Sequence, residues 1–310
     1  MIAALDFLAR HATRVMAGSV LIGLFVPWIT PWFKTVIVPA LMWPMVVSFL
    51  RLETRQLVEV GRRPLAVGLL VATVLIASPL AAMAALAPFD LPAGVRDAVV
   101  LMAASAPIMS CPAIALLIGL DFALALAVSV LATALVPFTL PPIALHLLGL
   151  QLDISAAELM LRLIGLIGGS ALIAWAIRRI AGPERMARNA RRIDGLAVIG
   201  LAVFAFAIMD GVNAVMIERP LYILGVTVLS FVANIALQAA AIVLFLPLGP
   251  LRALTAGLVT GNCNMGLVLT ALADKATLDT MVYFAMAQLP MFMLPAIQLS
   301  LYRRWSGQSP

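Results

Sequence analysis

Apolar stretches, each about as long as a membrane-spanning helix, follow one another along almost the whole chain, separated by short segments rich in arginine, proline or glycine. An α-helix needs about 20 apolar residues to cross a hydrocarbon core about 30 Å thick. Of the 310 residues, 64% are apolar and 11% are charged, and the mean hydropathy is +1.12. Soluble domains contain about 45–50% apolar and about 25% charged residues. We therefore predict an all-α polytopic membrane protein, with one membrane domain over residues 1–310.

The hydropathy pattern predicts ten transmembrane helices. No connecting segment is long enough to fold separately, and no small-residue cleavage site follows the first apolar stretch, so we expect no removable signal peptide. The predicted spans are 13–31, 35–50, 65–88, 97–118, 122–148, 160–177, 195–216, 220–246, 251–273 and 279–302.

Lysines and arginines are unevenly divided between the two sides of these spans. With a cytoplasmic N-terminus, 15 of the 20 fall on the cytoplasmic side. This positive-inside bias predicts cytoplasmic N- and C-termini in a bacterial-type cytoplasmic membrane. The arginines lie in loops and form no basic patch interleaved with aromatic residues, so we expect the lipid bilayer as a partner and no nucleic acid. The 15 residues are Arg10, Arg14, Arg51, Arg55, Arg62, Arg63, Arg178, Arg179, Arg185, Arg188, Arg191, Arg192, Arg252, Arg303 and Arg304.

Five predicted spans precede residue 150 and five follow it. The two halves, about 12–150 and 155–304, therefore have opposite orientations, as in an inverted 5+5 repeat. An acidic residue opens the last span of each half, Asp121 and Asp279, and a proline follows sixteen positions later in both, Pro137 and Pro295. On the side opposite the arginine-rich loops, Glu158 precedes Arg162 by four residues, a spacing that predicts an ion pair on one helix face.

The fourth span contains two prolines within the segment Ser105-Ala-Pro-Ile-Met-Ser-Cys-Pro112. Each proline removes a backbone donor and disfavours helical geometry in the residue before it. We therefore expect this helix to break near mid-membrane. Such a break is tolerated only where it is packed in protein or lines a wet cavity.

The corresponding ninth span contains Thr260-Gly-Asn-Cys-Asn-Met-Gly266. Asn262 and Asn264 are the sharpest polar anomaly in the chain, since their side chains can replace missing backbone partners or bind a solute. The alternative is that they tie packed helices together, as interhelical amides do. Breaks at the same position of both halves favour the functional interpretation.

Further polar residues are candidates for the lining of the same cavity. Asn234 and Gln238 lie four apart on one helix face, and either line the cavity or clamp two helices together. The other candidates are Ser105, Ser110, Thr133 and Gln288. The predicted substrate-binding set is Pro107, Ser110, Cys111, Pro112, Gly261, Asn262, Cys263, Asn264, Asn234 and Gln288.

From about residue 12 to 304 the chain resembles the bile acid:sodium symporter family. The residues that carry the resemblance are Arg62-Arg-Pro64 before the third span, the proline-containing fourth span, Asp121 to Ser129 followed by Pro137, and Gly261-Asn-Cys-Asn264. The resemblance implies ten helices, with a panel domain (spans 1, 2, 6 and 7) moving against a core domain. It also implies that broken helices 4 and 9 of the core cross at the transport site.

The side chains that bind sodium in that family do not carry over. Its ninth-helix glutamate and glutamine correspond to Val259 and Cys263, and only Gly261 and Asn264 match. Its serine–asparagine pair corresponds to Cys111 and Pro112, its next serine to Ala125, its threonine to Ser129, and the glutamine of its third helix falls near Val74.

A hard cation prefers several oxygen ligands, including a carboxylate. We therefore predict no two-sodium site, with Ser129 and Asn264 as the weak remaining ion ligands, and no other metal or cofactor. Coupling to H⁺ or Na⁺ has no support in the residues. The titratable candidates Asp121, His146 and Asp210 are expected toward span ends.

Broken helices direct the positive ends of half-helices into a cavity, which favours an anionic substrate. The resemblance separately implies organic anions of the carboxylate type. We therefore expect a secondary transporter of small organic anions that works by alternating access, and no enzyme, because no metal cluster or nucleophile–base constellation is evident.

Two alternatives stay open. Cys111 and Cys263 would meet at the crossing, and thiolates prefer soft partners, which allows an arsenite or metalloid efflux permease. A buried cysteine also serves simply as a small apolar residue. The second alternative is a membrane sensor with the same fold that does not transport.

Overall fold

The computed structural model describes residues 2–26, 28, 30–52, 64–148, 154–272 and 275–305. Over these ranges the chain is helical and contains no β-strand. Arg55, Arg62 and Arg63, which are predicted to lie in cytoplasmic loops, are outside the described residues. The protein is thus an all-α protein in its described part.

Sixteen helical elements are described. They are α1 (Ile2–Arg10), α2 (Ala12–Phe25), α3 (Thr30–Lys34), α4 (Ile37–Leu50), α5 (Pro64–Leu86), α6 (Ala93–Ala103), α7 (Cys111–Leu117), α8 (Phe122–Leu147), α9 (Ala156–Ala181), α10 (Pro183–Arg188), α11 (Ala190–Ile208), α12 (Val212–Glu218), α13 (Pro220–Leu248), α14 (Pro250–Gly261), α15 (Met265–Leu272) and α16 (Leu278–Trp305).

Four continuous helices among the described residues, α5, α8, α9 and α13, are long and apolar enough to cross a membrane. A fifth is formed if α11 and α12, which meet at an angle of 48°, count as one bent span. Of the other predicted spans, 279–302 falls on the continuous 28-residue helix α16, and the rest fall on shorter or interrupted helices. These helices confirm an all-α membrane protein with several membrane-spanning helices.

Many large apolar side chains lie on the surface of the protein, whereas several polar side chains lie inside it. Trp32, Ile180 and Leu221 are each more than 80% exposed, whereas Asn234 and Gln238 are no more than 2% exposed. Extensive exposed apolar surface is typical of a protein that faces lipid, and polar groups inside must find partners in the protein. The exposed apolar surface is therefore the lipid-facing surface.

Two of the described helices begin at a residue whose side chain caps the first turn. Asp121 is the N-cap of α8, where its side chain accepts a 3.0 Å hydrogen bond from the Leu124 amide. Ser155 caps α9 in the same way, through a 3.1 Å bond from the Glu158 amide. Glu158 also pairs with Arg162 at 2.7 Å, which confirms the predicted ion pair.

The bend between α11 and α12 was not predicted. Gly211 adopts φ +82°, a left-handed conformation that costs glycine little, and the helix restarts at Val212. Asp210 lies in this bend, two residues after the end of α11. The signal that pointed to a break was the sequence Asp210-Gly211, since glycine after a short polar residue is typical of a turn.

The arginine-rich ends of three helices lie together. Arg51, at the end of α4, forms an ion pair with Asp194 of α11. Arg178, near the end of α9, donates a 2.6 Å hydrogen bond to the Leu52 carbonyl. These contacts fasten α4, α9 and α11 to one another at one end of the molecule.

Candidate functional site

Two helices that the sequence predicts to break are interrupted, and the interruptions meet. Residues 104–110 separate α6 from α7, and residues 262–264 separate α14 from α15. Pro107 lies within the first interruption. Pro112 lies in the first turn of α7, where the missing amide hydrogen has no helical partner to lose. Of the two prolines, then, only Pro107 interrupts the helix.

The two interrupted segments form a short antiparallel crossing. The Ile108 amide donates to the Asn262 carbonyl over 2.8 Å, and the Asn264 amide donates to the Ala106 carbonyl over 2.7 Å. Pro107 and Cys263 form an isolated β-bridge between these bonds. Each break thus supplies backbone partners to the other, which is how buried polar backbone remains satisfied without water.

The two asparagines of the crossing have different local roles. Asn262 is 1% exposed, and its Nδ2 donates to the Leu258 carbonyl over 2.8 Å. This bond fixes the orientation of the amide, because only the nitrogen can donate. Asn264 is 8% exposed, and its side-chain oxygen accepts from the Leu267 amide at 3.2 Å, in the manner of an N-cap for α15.

Three buried side-chain oxygens near the crossing have no hydrogen-bond partner in the described structure: Ser129 Oγ, Thr260 Oγ1 and Asn262 Oδ1. Ser129 lies one helical turn before Thr133, whose hydroxyl contacts Met109 Sδ at 3.6 Å, so it shares the face of α8 that meets the first break. A buried polar atom without a partner costs about 1–3 kcal/mol. Each such group in a packed site therefore requires a structural or functional explanation.

Thr260 was quoted in the motif but was not among the predicted site residues. Ser129 was predicted only as a weak ion ligand. Thr260 lies beside a helix break, and Ser129 lies on a helix that packs against one. This placement is the signal that could have identified both residues.

Asn234 and Gln238 form a clamp behind the crossing. Asn234 Nδ2 donates to the Gly261 carbonyl over 2.6 Å, and its Oδ1 accepts from Gln238 Nε2 over 2.7 Å. The Tyr302 hydroxyl donates to Gln238 Oε1 over 2.9 Å. Because both amides are occupied by protein partners, the observed hydrogen bonds favour the clamp over the cavity interpretation.

Two glycines let α14 approach α13 closely enough for this clamp to form. A Cβ on Gly261 would lie 2.7 Å from Gln238 Nε2, and one on Gly257 would lie 2.6 Å from Ile242 Cγ1. Their four-residue spacing is the small-residue pattern of tightly packed membrane helices. This Gly257-to-Gly261 motif was present in the sequence and was missed.

The two cysteines lie beside the same turn of backbone. Cys111 Sγ is 3.9 Å from the Asn262 carbonyl oxygen, and Cys263 Sγ donates to the Thr260 carbonyl at 3.1 Å. Both are buried and unoxidised. The Cys263 thiol thus satisfies the Thr260 carbonyl near the end of α14, whereas the Cys111 thiol adds a second, long contact to the Asn262 carbonyl, which already accepts from the Ile108 amide.

The remaining predicted residues are less closely tied to the crossing. Ser110 is exposed at the edge of the first break. Ser105 is an exception, because it lies buried within that break, where its hydroxyl donates to the Met102 carbonyl over 2.7 Å and its side chain is in hydrogen-bond contact with Cys263 of the second break. Gln288 is buried in α16, where its amide donates to Phe284 of the same helix at 3.3 Å. No hydrogen bond of the described structure links Gln288 to the crossing.

No protein-family model matches the chain, and no curated protein shows significant similarity to it.

Proposed function

We propose that the protein is a secondary transporter that moves a small organic anion of the carboxylate type across the cytoplasmic membrane by alternating access. The observation that carries the proposal is the crossing of two broken helices, joined by the Ile108–Asn262 hydrogen bond of 2.8 Å and flanked by unpartnered buried oxygens. Broken helices at membrane depth are the usual way in which transporters build a solute site from backbone and polar side chains.

The proposed architecture has ten spans arranged as an inverted repeat, with halves at about 12–150 and 155–304 and both termini cytoplasmic. Its support is the equivalent placement of the two breaks, the first between α6 and α7 and the second between α14 and α15. In this arrangement α2, α4, α9 and the bent pair α11–α12 form the panel domain. The other spans form the core domain that contains the crossing.

The unpartnered groups define the chemistry of the proposed substrate. The hydroxyls of Ser129 and Thr260 can donate to a carboxylate. Asn262 Oδ1 can only accept, so it favours a hydroxyl or amide hydrogen elsewhere on the same substrate. The half-helices α7 and α15 begin at the crossing and add a partial positive charge near it. A small hydroxy- or amido-carboxylate fits this set better than a bare hydrocarbon acid.

Access to the crossing requires the panel to move. Residues 253–272, which include the second break, are all buried. A Cβ on Gly266 would lie 2.7 Å from Leu41 Cδ1 and 2.9 Å from Phe204 Cζ, so α15 packs directly against α4 and α11. Alternating access then corresponds to separation of α15 from α4 and α11, first on one side of the membrane and then on the other.

The decisive experiment is a screen of carboxylates for thermal stabilisation of the purified protein and for uptake into proteoliposomes, with and without sodium and a pH gradient. Asn262→Ala is expected to abolish stabilisation by the best compound, because it removes the unpartnered acceptor. Asn213→Ala is the matched control, since Asn213 is a buried asparagine with an unpartnered Nδ2 in α12, away from the crossing. Normal binding by a folded Asn262→Ala variant would refute the assignment of the site.

A metalloid efflux function is the second candidate, because Cys111 and Cys263 both lie at the crossing. Soft metalloids bind thiolates, whereas carboxylates do not need them. The double variant Cys111→Ser and Cys263→Ser separates the two candidates. Loss of arsenite export by this variant, together with a failed carboxylate screen, would favour the metalloid function. A failure of both assays would favour the sensor that does not transport.

A further inference from the structure

A polar pocket of about 520 Å³ lies at the end of the molecule where the arginine-rich segments meet, and it is separate from the crossing. Helices α4, α10 and α11 supply most of its wall, and α1 supplies one residue. The lining residues are Asp6, Arg51, Arg188, Ala190, Arg191, Arg192 and Asp194.

The charges of this pocket are only partly neutralised. Arg51 pairs with Asp194 and also donates to the Ala190 carbonyl at 3.1 Å, which accounts for one guanidinium and one carboxylate. Arg192 donates to the neutral Asn189 amide oxygen at 2.8 Å, and this bond leaves its charge uncompensated. Four guanidinium groups facing two carboxylates leave a net charge of +2.

Arg188 and Arg191 are exposed, and their side chains form no ion pair or hydrogen bond with the described residues. Like charges that line one pocket repel one another unless an anion lies between them. The N-terminus of α11 adds to the positive potential, because its N-cap residue Asn189 makes no side-chain cap bond to the first turn. The pocket therefore presents unused guanidinium donors to an anion.

The apolar surface of α11 next to the pocket indicates which kind of anion the pocket would bind. Arg192, Leu196 and Ile199 lie at positions i, i+4 and i+7 of α11 and so share one face of the helix. Leu196 is 36% exposed and Ile199 is 41% exposed, on the segment where α11 leaves the polar pocket. Arg179 lies 5.7 Å from the ring centre of Trp175, an amphipathic pair typical of a membrane interface.

We propose that this pocket binds the phosphate headgroup of an anionic phospholipid. The guanidinium groups of Arg188, Arg191 and Arg192 hold the phosphate oxygens, and an acyl chain lies along Leu196 and Ile199. Arginine suits this role because its planar donors match phosphate geometry. Basic pockets between helices at the membrane surface bind such headgroups. The site is independent of the proposed transport activity.

The test measures retention of added lipid by the full-length protein in detergent, by native mass spectrometry, with phosphatidylglycerol as the probe and phosphatidylcholine as the zwitterionic control. The double variant Arg188→Gln and Arg191→Gln is expected to retain roughly tenfold less phosphatidylglycerol than the wild type. The matched control, Arg179→Gln with Arg185→Gln, also removes two positive charges, but from residues outside the pocket. This variant should retain wild-type levels of phosphatidylglycerol.

Leu196→Ser with Ile199→Ser tests the acyl contact and should weaken retention without any change in pocket charge. Competition with inorganic phosphate separates a lipid from a free anion. Equal retention by the pocket variant and the wild type would overturn the proposal, as would equal losses in the matched variant. Displacement of phosphatidylglycerol by inorganic phosphate, with no effect of the Leu196 and Ile199 changes on lipid retention, would overturn the lipid assignment.

Discussion

The backbone amide of Ile108 donates to the carbonyl of Asn262 over 2.8 Å, so two helix breaks that lie more than 150 residues apart in the chain satisfy one another. The return bond, from Asn264 to the Ala106 carbonyl, makes the contact reciprocal. A single break in a lipid environment would leave costly unpaired backbone groups. The crossing therefore satisfies backbone groups of both breaks. Among the described residues, it is also the only place where main-chain breaks, unpartnered hydroxyls and an unpartnered amide oxygen come together.

Gly261→Ala is expected to destabilise the protein by about 1–3 kcal/mol, because the new methyl group would press on Gln238. Gln238 is held by Asn234 and Tyr302 and has little freedom to retreat. Thermal unfolding in detergent measures the effect. Gly168→Ala in α9 is the control, since a Cβ there meets open space. An unchanged melting temperature for Gly261→Ala would contradict the close approach of α13 to α14.

Asn234→Ala is expected to cost about 1–3 kcal/mol, because it leaves the buried Gly261 carbonyl and the Gln238 amide without their partners. Asn189→Ala serves as the comparison. Its side chain bonds within an exposed segment, where water replaces the lost partners. Equal stabilities of the two variants would show that the clamp contributes nothing to the fold.

Gly266→Val should force α15 away from Leu41 and Phe204 and shift the protein toward an open conformation. Cys263 is 1% exposed, so its reaction with a water-soluble maleimide reports that opening. Labelling, located by mass spectrometry of the digested protein, is expected to rise in Gly266→Val and to stay at the wild-type level in Gly168→Val. A well-folded Gly266→Val variant with unchanged labelling would argue against movement at this interface.

Replacement of sodium by potassium or choline is expected to leave transport and substrate-induced stabilisation unchanged. The unpartnered oxygens at the crossing, in Ser129, Thr260 and Asn262, are neutral, whereas a hard cation prefers a site that includes a carboxylate. Uptake into proteoliposomes of matched ionic strength measures the dependence. Strict dependence on sodium would show that these oxygens, or others, form an ion site after all.

The location of the breaks was predictable from local chemistry. Pro107 removes a helix donor, and the run from Gly261 to Asn264 is too polar for an uninterrupted membrane helix, so both interruptions follow from residue type. The pairing of Glu158 with Arg162 was likewise predictable, because the spacing of four depends only on helix geometry. The bend at Gly211 was missed because apolar residues continue on both sides of the Asp210-Gly211 pair.

The sequence by itself determined that lipid surrounds much of this protein and that the fourth and ninth spans break, since length, hydropathy and proline or glycine act within a single segment. Only the tertiary structure decided that Ile108 meets Asn262, that Asn234 and Gln238 clamp Gly261, and that Arg188 and Arg191 share a pocket with Arg51. These relationships join residues far apart in the chain. They arise from helix packing, in which small side chains such as Gly257 and Gly261 set the approach and the register of partners.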